Sequence, residues 1–213
     1  QPAPAATAAA RVFRYQNPIS AGLDPRGVRD CQVFRDHDRW YMVATSFPHW
    51  PRQENNGELN PGVILYSSPD LTTWQREGVI VPRPAADRWY HRRFWAPEVH
   101  RIAGKYYATF NCSNPAAGYP GQHFGYAVAD RLHGPYRVIT EDRPLGPGND
   151  FTLFADDDGA VWAFWNRGRD FGIGLAQIDL AAGRFLTEPH TAIQPGPLDY
   201  ATNPDGSAAM EPG

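Results

Sequence analysis

Four carboxylates define the chemistry open to this chain: Asp30, Glu98, Asp150 and, near the last residue, Glu211. They recur about 50–70 residues apart, each at the entrance of a short segment bounded by turn residues. Isolated acids at such spacing are turn residues capping strands. Brought together, they crowd one another, which raises the pKa of some members. One then stays protonated as an acid while a neighbour stays ionised as a base, which is the equipment of general acid–base catalysis. The decisive question is therefore which fold would bring residues so far apart in sequence to one place.

Segments of period two alternate with Gly-, Pro- and Asp-rich turns from about Gln32 onward. Gln32–Arg35 turns through Asp36–Arg39 into Trp40–Thr45, and Gly62–Ser67 turns through Ser68–Leu71 into Trp74–Val81. The pattern restarts with Val99–Ile102, a turn at Ala103–Lys105, Tyr106–Phe110, Phe124–Val128 and Tyr136–Ile139. A third round runs through Thr152–Phe154, the turn Asp156–Gly159, Val161–Trp165, Gly172–Ile178 and Arg184–Leu186. Four short antiparallel strands per round, with a tight turn after the first, are the signature of propeller blades. The first strand of each blade lines the central channel, so acids at its entrance converge on one mouth of that channel.

Composition agrees with an all-β chain. Aromatics make up 13% of the residues, and 20 Gly and 21 Pro accompany them, a mixture that breaks helices and suits pleated surfaces. With 20 Lys+Arg against 23 Asp+Glu the net charge is −3, which argues against a basic nucleic-acid face and against a polybasic membrane anchor. No apolar run is long enough for a spanning helix. Residues 1–14 read as a disordered segment, its first ten residues small, uncharged and Pro-containing, in keeping with the start of a processed, secreted or periplasmic chain. Cys31 and Cys112 are either one optional bridge or two buried thiols.

The motifs resemble the five-bladed propeller glycoside hydrolases of family 43 and relatives such as the family 117 anhydrogalactosidases. They are Gly27-Val28-Arg29-Asp30, Ser68-Pro69-Asp70-Leu71-Thr72-Thr73-Trp74, Phe94-Trp95-Ala96-Pro97-Glu98-Val99 and Asn149-Asp150-Phe151-Thr152 with Asp157-Asp158-Gly159, in the family's order. The resemblance implies a five-bladed β-propeller of which residues 15–213 supply about three blades and the start of a fourth. The blades fall at about 28–82, 95–140 and 148–190, with the fourth opening near 208. It also implies a secreted glycosidase working by inversion. Asp30 would be the base that activates water, Asp150 the neighbour that tunes the acid's pKa, and Glu211 the acid, with Glu98 in a supporting place. The Asp30-Cys31 pair departs from the family's usual Asp-Pro, so pentose specificity does not carry over.

Around the mouth, His49, Trp50 and Trp95 are candidate sugar contacts, since aromatic faces stack on sugar rings. Arg167 is a candidate hydrogen-bond donor to a hydroxyl or a carboxylate. The basic and aromatic run Arg88–Trp95 reads as an insertion rimming the sugar cleft. The expected partner is a carbohydrate, with neither nucleic acid nor membrane. The ring is expected to be completed by a second polypeptide or a cleaved C-terminal fragment, since about 60 residues per blade require on the order of 300 for five blades. No cofactor is required and the histidines show no zinc spacing. A structural calcium in the channel is an option that relatives suggest. A carbohydrate-binding propeller without turnover is the alternative function. A retaining, fructan-cleaving relative is disfavoured because its Asn-Asp-Pro-Asn-Gly motif is absent around Asp30.

Overall fold

The computed structural model describes residues 21–54, 57–167 and 172–194. Within them the chain forms three antiparallel sheets, in agreement with the expected all-β architecture. The first holds β1 (Arg29–Asp36), β2 (Arg39–Thr45), β3 (Gly62–Ser68) and β4 (Gln75–Pro82), in that spatial order. The second holds β5 (Arg92–Ile102), β6 (Lys105–Asn114), β7 (Tyr119–Ala129) and β8 (Arg137–Val138), with β9 (Gly146–Pro147) also paired to β7. The third runs β10 (Asn149–Ala155), β11 (Val161–Asn166), β12 (Ile173–Asp179) and β13 (Arg184–Phe185), with β14 (His190–Ile193) added to β12. The short pieces β9 and β14 carry no alternation of their own and were not apparent from periodicity. The expected opening of a fourth blade near 208 lies outside the described residues.

The hairpins close where the turn chemistry requires. Ile102 pairs with Lys105 across Ala103 and Gly104, both at positive φ (48° and 79°), the geometry of a two-residue type I′ turn. Asp156 to Ala160 close the β10–β11 hairpin around Gly159, whose φ of 85° excludes a side chain without strain.

Side chains on opposite faces of a strand serve different interfaces, as the twofold period dictates. Ala108, Phe110 and Cys112 of β6 pack towards Val43, Val63, Leu65 and Val81 of the first sheet. Tyr107 of the same strand packs with Phe151, Leu153, Ala163, Trp165 and Ala176 of the third. The three sheets are therefore consecutive blades, with an apolar seam between each neighbouring pair. A third cluster, Met42, Ile64, Tyr66 and Trp74, is covered by Leu23 and Val28 from the entering chain.

The run expected to rim the cleft is instead largely interior. Trp89, Tyr90 and Phe94 are buried in the seam between the first two blades, packed around Phe110, and Trp89 donates its indole N–H to the Thr140 carbonyl at 2.6 Å. The charge that suggested a surface insertion is neutralised locally. Arg88 pairs with Glu141 and Asp142, while Arg92 and Arg93 both pair with buried Glu54. Trp95, the last residue of the run, is half-buried. Cys31 is exposed and Cys112 is buried, both as free thiols.

Candidate active site

The innermost strand of each blade begins with the same irregularity. Arg29 pairs with Thr45 and Gln32 with Val43, so Asp30 and Cys31 together oppose the single residue Ala44. Asn149 pairs with Asn166 and Thr152 with Phe164, so Asp150 and Phe151 oppose Trp165. Two residues against one is a β-bulge, which re-aims the side chains it carries. The first residue of each bulge is left-handed, at φ 53° for Asp30 and 54° for Asp150. Asp enters that region more readily than most residues because its short polar side chain bonds locally, and such strained positions cluster where function is concentrated.

The second blade has the same bulge between the pairs Trp95–Asn111 and Glu98–Thr109, and its first residue is Ala96, at φ 40°. This corrects the placement of Glu98. It does not share the register of Asp30 and Asp150 but stands two residues deeper, level with Gln32 and Thr152. There it links blades: Glu98 Oε2 accepts from Thr152 Oγ1 at 2.5 Å and lies 2.8 Å from His100 Nε2. Gln32 does the same one blade earlier, bonding both the amide and the carbonyl of Val99.

Burial pulls the Glu98 carboxyl up, but the hydrogen bonds from His100 and Thr152 and the His100 charge outweigh it, so the net shift is downward. A depressed folded value stabilises the fold above the ordinary glutamate range, and that stability is lost as pH falls through the depressed value. Wild type should therefore exceed Glu98→Gln in urea midpoint at neutral pH, with the gap closing between roughly pH 5 and pH 3. A gap that stays constant across that range would show that Glu98 ionisation contributes nothing.

Asp30 is tethered on both oxygens. Thr45 Oγ1 donates to Oδ2 at 2.7 Å, and Arg29 Nε lies 3.3 Å from Oδ1. The same Thr45 oxygen accepts the Ala96 amide N–H at 2.8 Å, so the carboxylate of blade 1 is connected to the bulge of blade 2. Asp150 accepts from its neighbour Asn149 Nδ2 at 2.8 Å. Beside Asp30, the Cys31 thiol is pushed up, first by partial loss of hydration around a residue that is exposed as a whole and then by the aspartate charge.

The loop after β2 and the start of β5 together form an aromatic wall near this acid. Trp50 and Trp95 stand with ring centroids 6.5 Å apart and tilted by 49°, and the Arg29 guanidinium lies 4.7 Å from the Trp50 ring centre. The wall is held from behind. Trp95 donates its indole N–H to the His49 carbonyl at 2.9 Å, and Gln53 Oε1 accepts from the amides of His49 and Trp50. Arg93 lies 5.9 Å from the Trp95 ring centre and is fixed by Glu54.

The structure brings Asp30, Trp50 and Trp95 together. The His49 ring is buried, with Nε2 3.2 Å from the Gly27 carbonyl, so it braces the loop. Arg167 follows β11 and donates from Nη1 to Thr191 Oγ1 of β14. Glu211 lies outside the described residues. Sequence reading missed Arg29, Thr45, Glu54 and Ala96. Arg29 adjoins a recognised acid and was legible; the others depend on cross-blade contacts. Among the described residues no group of three or more His, Cys, Asp and Glu is placed to hold a metal ion, so the calcium option finds no ligand set there.

Solved structures repeat this architecture. A thermostable family-43 glycoside hydrolase superposes with a TM-score of 0.65 at 24% identity, covering 86% of this chain and 57% of its own. An endo-arabinase from Bacteroides thetaiotaomicron VPI-5482 gives 0.62 at 22%, covering 78% and 56%, and RS223-Beta-xylosidase gives 0.59 at 17%, covering 85% and 62%. The chain thus spans a little over half the length of these relatives, and at such identities the likeness concerns the fold. A search of curated proteins finds no match. The sequence pattern of glycosyl hydrolases family 43, in contrast, matches residues 15–209, nearly the whole chain, and the bulged acids of the first and third blades fall inside the match. The chain belongs to glycosyl hydrolases family 43.

Proposed function

We propose that the protein is a glycoside hydrolase that cleaves poly- or oligosaccharides with inversion at the anomeric carbon, and that it acts as a secreted or periplasmic enzyme. The observation that carries this reading is the repeated left-handed bulge presenting Asp30 and Asp150 at equivalent places in blades 1 and 3, with a tryptophan pair close to Asp30. The relatives named above as an arabinase and a xylosidase support the same class of reaction.

In the proposed reaction a sugar ring stacks on Trp50 and Trp95, whose faces complement its C–H side. Asp30 takes one proton from a water as the water oxygen attacks the anomeric carbon. The bond from that carbon to the leaving oxygen breaks, and Glu211 gives this oxygen its proton. Asp150 orients the acid and tunes its proton affinity. Inversion requires acid and base on opposite faces of the ring, roughly 6.5–9.5 Å apart, leaving room for the water. Proton NMR of a running reaction should reveal the inverted anomer first, before mutarotation. First appearance of the retained anomer would exclude Asp30 as a base acting on water and point to a covalent intermediate.

A further inference from the structure

We infer that Thr45 is a positioning residue for Asp30, and that it is itself oriented by the backbone of the second blade through the Ala96 amide. The inference rests on the reading of Asp30 as the base and adds a residue outside the acid set.

The argument follows from donor and acceptor counts. A threonine hydroxyl has one hydrogen and two lone pairs. The Ala96 N–H is only a donor, so at 2.8 Å it must occupy a lone pair of Thr45 Oγ1. The single hydroxyl hydrogen is thereby free to point at Asp30 Oδ2, 2.7 Å away. Thr45 is fully buried, so water does not compete for either bond. Committing Oδ2 in this way leaves Oδ1, with only the longer Arg29 contact, as the oxygen that receives the proton from water.

The origin of the amide is informative. Ala96 occupies in blade 2 the bulge position that Asp30 and Asp150 occupy in blades 1 and 3, and it keeps their left-handed conformation without an acid side chain. An Ala at positive φ carries strain and needs surroundings that hold it there. The bond to Thr45 is one such restraint, and it gives the bulge a use: the second blade contributes a backbone donor where its neighbours contribute carboxylates. The ionisable groups beside Asp30 on its own strand are Arg29 and Cys31, whereas β2 and β5 face it with the Thr45 hydroxyl and, through it, the Ala96 amide. Farther along β5 stand Arg93, fixed by Glu54, and Glu98, fixed by His100 and Thr152.

Two arms test this. In the first, the Ala96 amide resonance is followed by proton–nitrogen NMR. Asp30→Asn should move it in protein with Thr45 intact and leave it in place in a Thr45→Val background; an unmoved resonance in the first case, or equal movement in both, overturns the relay. The first comparison needs no Thr45 variant, so misfolding of Thr45→Val does not remove the test. In the second arm, Thr45→Val should lower kcat by about 10–100-fold with KM within about threefold, the scale of one hydrogen bond to a charged group, while Thr45→Ser retains activity within about threefold. Equal losses in Val and Ser, or a loss confined to KM, would contradict positioning through the hydroxyl. An inactive wild type would overturn the proposed reaction, while the NMR arm would still decide whether Thr45 links Asp30 to Ala96.

Discussion

Asp30→Asn is expected to lower turnover by about 10²–10⁴-fold, the usual contribution of a general base, while the folded state persists. The two halves of this expectation have separate physical grounds. Asn retains a carbonyl oxygen that accepts from Thr45, and it tolerates the left-handed φ of 53° almost as well as Asp does. The lost ion pair with Arg29 joins side chains that are 40% and 33% exposed, and pairs so open to water contribute little. The amide has no proton-accepting electron pair of useful basicity, so the attacking water keeps its proton. A variant with near wild-type turnover would remove Asp30 from the mechanism. Lost activity accompanied by an unfolding midpoint lower by many degrees would instead mark Asp30 as structural.

Trp89→Ala should destabilise the protein by about 3–5 kcal/mol, a large share of the 5–15 kcal/mol that holds a typical domain together. Trp89 is 1% exposed, stacks on Phe110 at 5.8 Å and 19°, and satisfies the Thr140 carbonyl. Its seat is shaped for it. A Cβ placed on Gly125 would come within 2.7 Å of the Trp89 ring, so the ring packs directly on a glycine, which has no side chain to fill the void that truncation leaves. Because the residue lies in the seam between the blades that carry Asp30 and Ala96, the loss also loosens their register. Urea unfolding measures the cost; a change below about 1 kcal/mol would place Trp89 outside the cooperative core.

These two residues illustrate what a linear reading can recover. Strand pairs such as 102–105 and the Asp156–Ala160 turn follow from local chemistry, and the blade order follows from their repetition. Asp30 and Asp150 were legible because each stands at the opening of such a strand. Glu98 was misplaced because the bulge position that holds an acid in blades 1 and 3 is filled by Ala96 in blade 2, and period two does not show where a bulge begins; Glu98 follows two residues later. Trp89, Tyr90 and Phe94 looked like surface because arginines interrupt them. Their neutralising partners, Glu54 on one side and Glu141 and Asp142 on the other, are distant in sequence. Thr45 was invisible for a related reason: its hydroxyl is one among several, and its donor is a backbone amide 51 residues away.

The central claim, hydrolysis of glycosidic bonds with Asp30 as base, is tested most directly by reducing-sugar release from an arrayed panel of poly- and oligosaccharides, with wild type and Asp30→Asn side by side. The account predicts release from at least one glycan by the wild type and loss of that release in the variant, with glycan binding retained by both. Binding without release by the wild type, unaltered by Asp30→Asn, would contradict it and identify a carbohydrate-binding propeller.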